Sequence, residues 1–144
     1  NAFGVPNRTV NLRDGYAIQL AVKQGYRVAV ITGANAKEYV KRLKQLGVKD
    51  VYLNSREKLA DFKDFLRKYN LEAPEVLYMG DDIPDTEVMK TAGVPVCPAD
   101  ADSEIKALSV YISDKKGGEG CVRDIIEQVL RLHNKWMKPG AYSW

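Results

Sequence analysis

Short β-branched runs alternate with stretches of helical spacing along almost the whole chain, and glycines stand at many of the joints. Few folds accommodate that alternation. Asp14 to Gln24 reads as a helix with Ala17, Ile18, Ala21 and Val22 on one face and Gly25 as its stop. Arg27 to Ile31 is a nearly continuous apolar run, the pattern of a strand buried on both faces. Helices over 36–46 and 57–69 alternate with strands over 50–53 and 75–79, and Gly47 closes the first of these helices. A sharp Gly80-Asp81-Asp82 corner follows. The pattern continues with a short helix over 85–92, a strand over 94–96, a helical turn over 103–108, a strand over 109–112 and a helix over 121–133. Five strands alternating with helices predict an open parallel sheet, covered on both faces and wound by right-handed crossovers.

The length of 144 residues suits one domain and requires no disulfide or metal staple. The two cysteines, Cys97 and Cys121, form no framework and read as buried small apolar groups. A net charge of +3 from 22 basic and 19 acidic residues leaves no basic block for nucleic acid or lipid. No apolar run reaches the ~20 residues of a membrane span, so a cytoplasmic chain is expected. The chain begins at Asn1 in helix phase, and residues 1–13 hold no strong core strand, so it reads as a fragment or a processed chain.

In such a sheet, ligands bind beyond the carboxyl ends of the strands. Thr32 and Gly33 stand after the first strand, where they either form an anion site or simply start the next helix. Lys58 opens the helix after the second strand, against the helix dipole. It is either solvated or reaches a phosphate and a carboxylate. After the third strand come Asp81, Asp82 and Asp85, which suit a Mg²⁺ ion or a capped helix start with Pro84 in its first turn. Capping explains one or two of these acids and gives no reason for a third. The order Thr, Lys, Asp-Asp-x-x-Asp excludes a receiver-type signalling domain, which needs its acidic pair first and its Lys last.

With these junctions stand R-T-V-N-L-R-D-G-Y-A-I at 8–18, V-A-V-I-T-G at 28–33, Y-M-G-D-D-I-P-D-T-E-V-M at 78–89, A-D-A at 99–101 and G-G-E-G-C-V-R-D at 117–124. Together they resemble the haloacid dehalogenase superfamily, and within it the capless phosphatases of 3-deoxy-D-manno-octulosonate 8-phosphate and related sugar-acid phosphates. The fold implied is a three-layer, Rossmann-like α/β domain over residues 1–144, with a tail over 134–144. The resemblance implies that Thr32, with the Gly33 backbone, binds the transferring phosphoryl group and that Lys58 neutralises it. It further implies that Asp81 ligates Mg²⁺ with Asp82 beside it, while Asp85 acts through water or holds Lys58. Only 26 positions separate Thr32 from Lys58 and 23 separate Lys58 from Asp81, which leaves no room there for a cap domain.

The resemblance also implies a homotetramer with active sites near subunit boundaries. Arg13, Asn35 and Arg123 are the candidates for the sugar acid, Asn35 standing just beyond Thr-Gly where many relatives place Arg. The aromatic tail, with Trp136, Tyr142 and Trp144, either docks on a partner chain or packs locally. His133 reads as a charge at a helix C-terminus rather than a base. The family's nucleophile lies in a D-x-D motif after an N-terminal strand, and none stands here in that setting; Asp100 and Asp102 come late, after Pro98. The motif is expected upstream of Asn1. The expected activity is Mg²⁺-dependent hydrolysis of the eight-carbon octulosonate 8-phosphate, with a nine-carbon nonulosonate 9-phosphate as alternative. A phosphomutase or phosphotransferase, and a non-catalytic anion-binding or oligomeric module, are the rivals.

Overall fold

The computed structural model describes residues 11–144. The expectation that the first thirteen residues hold no core strand falls largely outside them. Among the described residues six α-helices and five strands follow in order: α1 (Leu12–Lys23), β1 (Ala29–Ile31), α2 (Lys37–Gln45), β2 (Asp50–Tyr52), α3 (Lys58–Lys68), β3 (Leu77–Met79), α4 (Thr86–Thr91), β4 (Val94–Cys97), α5 (Ser103–Leu108), β5 (Tyr111–Ile112) and α6 (Cys121–Leu132). Helix α1 starts two residues before the expected Asp14, because the Asn11 side chain accepts the N–H groups of Arg13 and Asp14. An asparagine cap of this kind contributes ~1 kcal/mol.

All strand pairing is parallel, as expected, but the ladder is divided. Strand β1 pairs with β2, and β3–β4–β5 form a second sheet. Strands β1 and β3 do not pair with each other among the described residues. The side-chain layers nevertheless run across both parts. Val28 and Val30 join Leu77, Met79 and Val96 in one core with α1, α2 and α6. Ala29 and Ile31 join Val76, Tyr78 and Cys97 in a second core with Phe62, Phe65, Met89 and Ile105 of α3, α4 and α5. The period of two along each strand sends alternate residues to opposite faces, and this builds three layers, helix on sheet on helix. Full burial of Phe62 or Phe65 contributes ~1.5–3 kcal/mol each.

The C-terminal residues pack on their own chain. Lys23 Nζ donates to Gly140 O at 3.1 Å and Ser143 O at 3.0 Å, and Tyr16 OH donates to Ala141 O. The Trp144 ring meets Tyr16 edge to face at 5.8 Å, and Trp136 packs against the first core. His133 caps α6 and stacks on Tyr26, with the hydroxyl of Tyr26 bonded to Nδ1. Both cysteines are buried. No helix among the described residues is long and apolar enough to cross a membrane.

Candidate functional site

The corner after β3 places its three acids in three different environments. Asp85 is 2% exposed and saturated with donors: Lys58 Nζ at 2.9 Å, Tyr78 OH at 2.5 Å, and the N–H groups of Asp81 at 2.9 Å and Asp82 at 3.2 Å. Burial alone would raise its pKa. The Lys58 ammonium and the Tyr78 hydroxyl outweigh burial and hold it below the usual carboxylate range. Asp82 is exposed, and one of its oxygens accepts the Ile83 N–H at 2.8 Å. Asp82 and Asp85 thus close a capping box around the turn at Ile83–Asp85. Asp81 has no part in that cap. Burial, and then the Asp85 charge beside it, push its pKa up to about 7.

The Lys58–Asp85 bond also orients the sheet. Lys58 follows β2 and Asp85 follows β3, so the carboxyl ends of both strands lie on one edge of the molecule. Thr32 and Gly33 stand at the same end of β1, bound to the β2–α3 loop. Thr32 N–H donates to Tyr52 O at 2.9 Å, and Ser55 N–H donates to Thr32 O at 2.9 Å. Thr32 Oγ accepts the Ala34 N–H at 3.1 Å, which leaves its hydroxyl proton to donate outward. Ser55 in turn donates to Asp61 at 2.5 Å and braces the entry to α3, whose first residue is Lys58. Gly33 and Asn35 are exposed beside them.

A second group gathers where α1 and α6 begin. Arg13 and Arg123 line a cleft of about 190 Å³ together with Lys115, Glu119, Asp124 and Glu127. The cleft lies on the same edge as the acidic corner, through two backbone bonds of the intervening loop. Asp102 N–H donates to Asp81 O at 2.9 Å, and Ala99 N–H donates to Lys115 O at 2.9 Å. Cations for a carboxylate and acids for hydroxyl groups make this lining suited to a polyhydroxy acid.

The structure therefore brings Lys58, Asp81, Asp82 and Asp85 together, fixes Thr32 and Gly33 at the end of the neighbouring strand, and joins Arg13 to Arg123. Sequence reasoning missed Tyr78, Lys115 and Asp124. Tyr78 carried a usable signal, since a hydroxyl on a strand buried on both faces requires a partner. Among the described residues no group of three or more His, Cys, Asp or Glu side chains forms a metal cage. With Asp85 saturated, the corner offers Asp81 and the second oxygen of Asp82. One or two carboxylates are what Mg²⁺ takes from a protein when water and phosphate complete its shell. A desolvated Asp81 whose charge is opposed by Asp85 is a fitting ligand for such a cation.

Residues 11–93 match the family of haloacid dehalogenase-like hydrolases. The chain belongs to this family. Among relatives of this haloacid dehalogenase-like hydrolase, the 3-deoxy-D-manno-octulosonate 8-phosphate phosphatases of Salmonella typhi and of Escherichia coli K12 are each 35% identical over 128 residues, covering 89% of this chain and 68% of theirs. The crystal structure of the Yersinia pestis phosphatase of that name superimposes with a TM-score of 0.88 at 29% identity, covering 93% of this chain and 81% of the other. The Moraxella catarrhalis phosphatase, in complex with magnesium ion, phosphate ion and KDO, gives 0.86 at 25% identity, covering 93% and 87%. The haloacid dehalogenase-like hydrolase described here has the same architecture, with no cap domain among its described residues.

Proposed function

We propose that this chain is the core of a Mg²⁺-dependent phosphomonoester hydrolase whose substrate is 3-deoxy-D-manno-octulosonate 8-phosphate. The observation that carries the reading is the Lys58–Asp85–Asp81 arrangement at the strand-end edge, beside Thr32 and Gly33. The relatives named for this substrate support the choice of sugar acid.

The phosphate dianion is seated between the β1 and β2 ends. There the Thr32 hydroxyl and the Gly33 N–H donate to its oxygens, and the Lys58 ammonium offsets its charge. Asp85 keeps Lys58 aimed at the rim and is itself too enclosed to react. Asp81, with Asp82 beside it, holds Mg²⁺. When bound, the ion supplies positive charge to the phosphoryl oxygens. Phosphoryl transfer depends mainly on such positioning and charge. The nucleophile is an aspartate carboxylate upstream of Asn1. It attacks phosphorus and the bond from phosphorus to the sugar oxygen breaks, that oxygen taking a proton from solvent; water then attacks the acyl phosphate, giving free phosphate and the carboxylate and returning a proton to solvent. Among the described residues one edge of β1 and one edge of β3 have no strand partner, which leaves room for a further parallel strand carrying that residue. The far end of the sugar acid is taken by the Arg13–Arg123 cleft, and Asn35 faces the substrate from the β1 loop. The enzyme acts in the cytoplasm as a homotetramer.

The test is phosphate release by the full-length protein from the eight-carbon 8-phosphate and from a nine-carbon nonulosonate 9-phosphate, each with and without Mg²⁺. The eight-carbon substrate is expected to have the higher kcat/KM, and Asp81→Asn is expected to abolish turnover of both. Undiminished turnover in Asp81→Asn removes the metal role. Sedimentation velocity checks the tetramer.

A further inference from the structure

Helix α6 begins at Cys121 and its N-cap is Gly120, with φ 105°, a left-handed conformation that side chains rarely adopt. Its first turn therefore has no capping side chain of its own, and the N–H groups there need an acceptor from elsewhere. That acceptor is Asp14 of α1, whose Oδ1 takes the Arg123 N–H at 2.9 Å across 109 positions of sequence. Burial raises the Asp14 pKa above the ordinary carboxylate value, and the Arg123 and Gly120 N–H groups only partly oppose that rise. Asp14 is 3% exposed and forms no ion pair among the described residues. A neutral Asn or Ser is an equally good cap and avoids a buried charge. What this arrangement adds is connection, because the residues on either side of the contact are Arg13 and Arg123 of the cleft.

We infer that Asp14 is a positioning residue for the substrate cleft: its carboxylate caps α6 from α1 and so sets the spacing of Arg13 and Arg123. The inference rests on the proposed reading in which that cleft takes the carboxylate end of the sugar acid. The flanks of Arg123 are held independently. Its Nε lies 3.5 Å from Glu127 Oε1, and its guanidinium lies 5.8 Å from the Tyr16 ring and 5.4 Å from the Trp136 ring. The backbone anchor at Asp14 thus fixes where the side chain starts, and these contacts fix where it points. Displacing the anchor should impair recognition of the sugar-acid end more than handling of the phosphate.

The experiment measures KM and kcat of the full-length protein on 3-deoxy-D-manno-octulosonate 8-phosphate and on phenyl phosphate, which offers a phosphoryl group without the acid. In Asp14→Ala the ratio of the two KM values is expected to rise about tenfold in disfavour of the sugar acid. Asp14→Asn keeps an acceptor oxygen in place and should restore the ratio to within about threefold of the parent. Asp14→Glu keeps the charge, moves it by one methylene, and should shift the ratio as Ala does; it gives the answer if the Ala variant does not fold. Equal effects on both substrates, an unmoved ratio, or no rescue by Asn overturns the inference. Arg123→Ala separates the two ideas. If it leaves the sugar-acid KM unchanged, the cleft reading fails. If it raises that KM while Asp14→Ala and Asp14→Glu do not, only the role of Asp14 fails.

Discussion

Lys58 Nζ sits 2.9 Å from Asp85 Oδ1, with 15% of the lysine side chain and 3% of the aspartate side chain exposed, and this contact joins the start of α3 to the corner after β3. It places a cation at a helix start, where the dipole disfavours it, and the compensation is a buried carboxylate rather than solvent. The pair is thus a structural element as well as part of the proposed phosphate site.

Lys58→Ala strands Asp85 as an unpaired buried charge. A loss of ~3–5 kcal/mol in unfolding free energy is expected, read from urea denaturation. Phosphatase turnover should fall by at least about a hundredfold, since a mispositioned or missing phosphate cation costs several kcal/mol of barrier. A stable, active variant would contradict both roles.

Asp81 is expected to set the response to pH and, as the proposed Mg²⁺ ligand, to metal. Its folded pKa of about 7 lies above the ordinary 3.8, so the folded chain holds this proton more tightly than the unfolded chain. The stabilisation from this group is full below about pH 4 and is lost as pH rises through about 7. Asp85 is shifted the other way, and its contribution is lost only as pH falls below the usual carboxylate range. Metal-free protein should therefore lose urea resistance between pH 4.5 and 7.5, and Asp81→Asn should flatten that slope. Mg²⁺ should restore stability at pH 7.5 in the parent and not in the variant.

Tyr78→Phe removes one donor from Asp85 and keeps the ring packed against Phe62. A hydrogen bond to a charged group contributes ~1.5–3 kcal/mol, and a loss of that size is expected in thermal or urea unfolding. The pH at which acid unfolding begins should move upward, because Asp85 then holds its charge less firmly.

Gly80→Ala tests how closely the corner is folded. A Cβ there would come within 2.5 Å of Met89 Sδ and 2.6 Å of Asp85 Cβ. Both contacts are too close, so relief of the Met89 contact alone leaves the one to Asp85, and Asp85 or the corner backbone must shift. Displacement of Asp85 loosens Lys58, so turnover should fall well beyond the change in melting temperature, and a wild-type kcat would contradict that coupling.

The alternation of periods made the layers legible, because Val28 and Val30 face one core and Ala29 and Ile31 the other, as a strand buried on both faces requires. The starts of β1, β3 and β5 were read two residues early, since Val28, Val76 and Val110 are β-branched while the ladder begins at Ala29, Leu77 and Tyr111. At the corner, counting acids against caps left one unexplained. Asp82 and Asp85 form the cap and Asp81 is the one outside it. Contacts across long sequence separation were not legible. Nothing local in Asp14 or Gly120 announces that one caps the helix of the other, and the division of the ladder depends on which strands meet in space.

The way residues 140–144 bind α1 bears on how this protein is handled in the laboratory. Tyr16 and Lys23 donate to carbonyls in that stretch, and the Arg42 guanidinium lies 5.5 Å from the Trp144 ring. Clipping the last five residues would strip acceptors from both donors and bare Ala141's niche on α1.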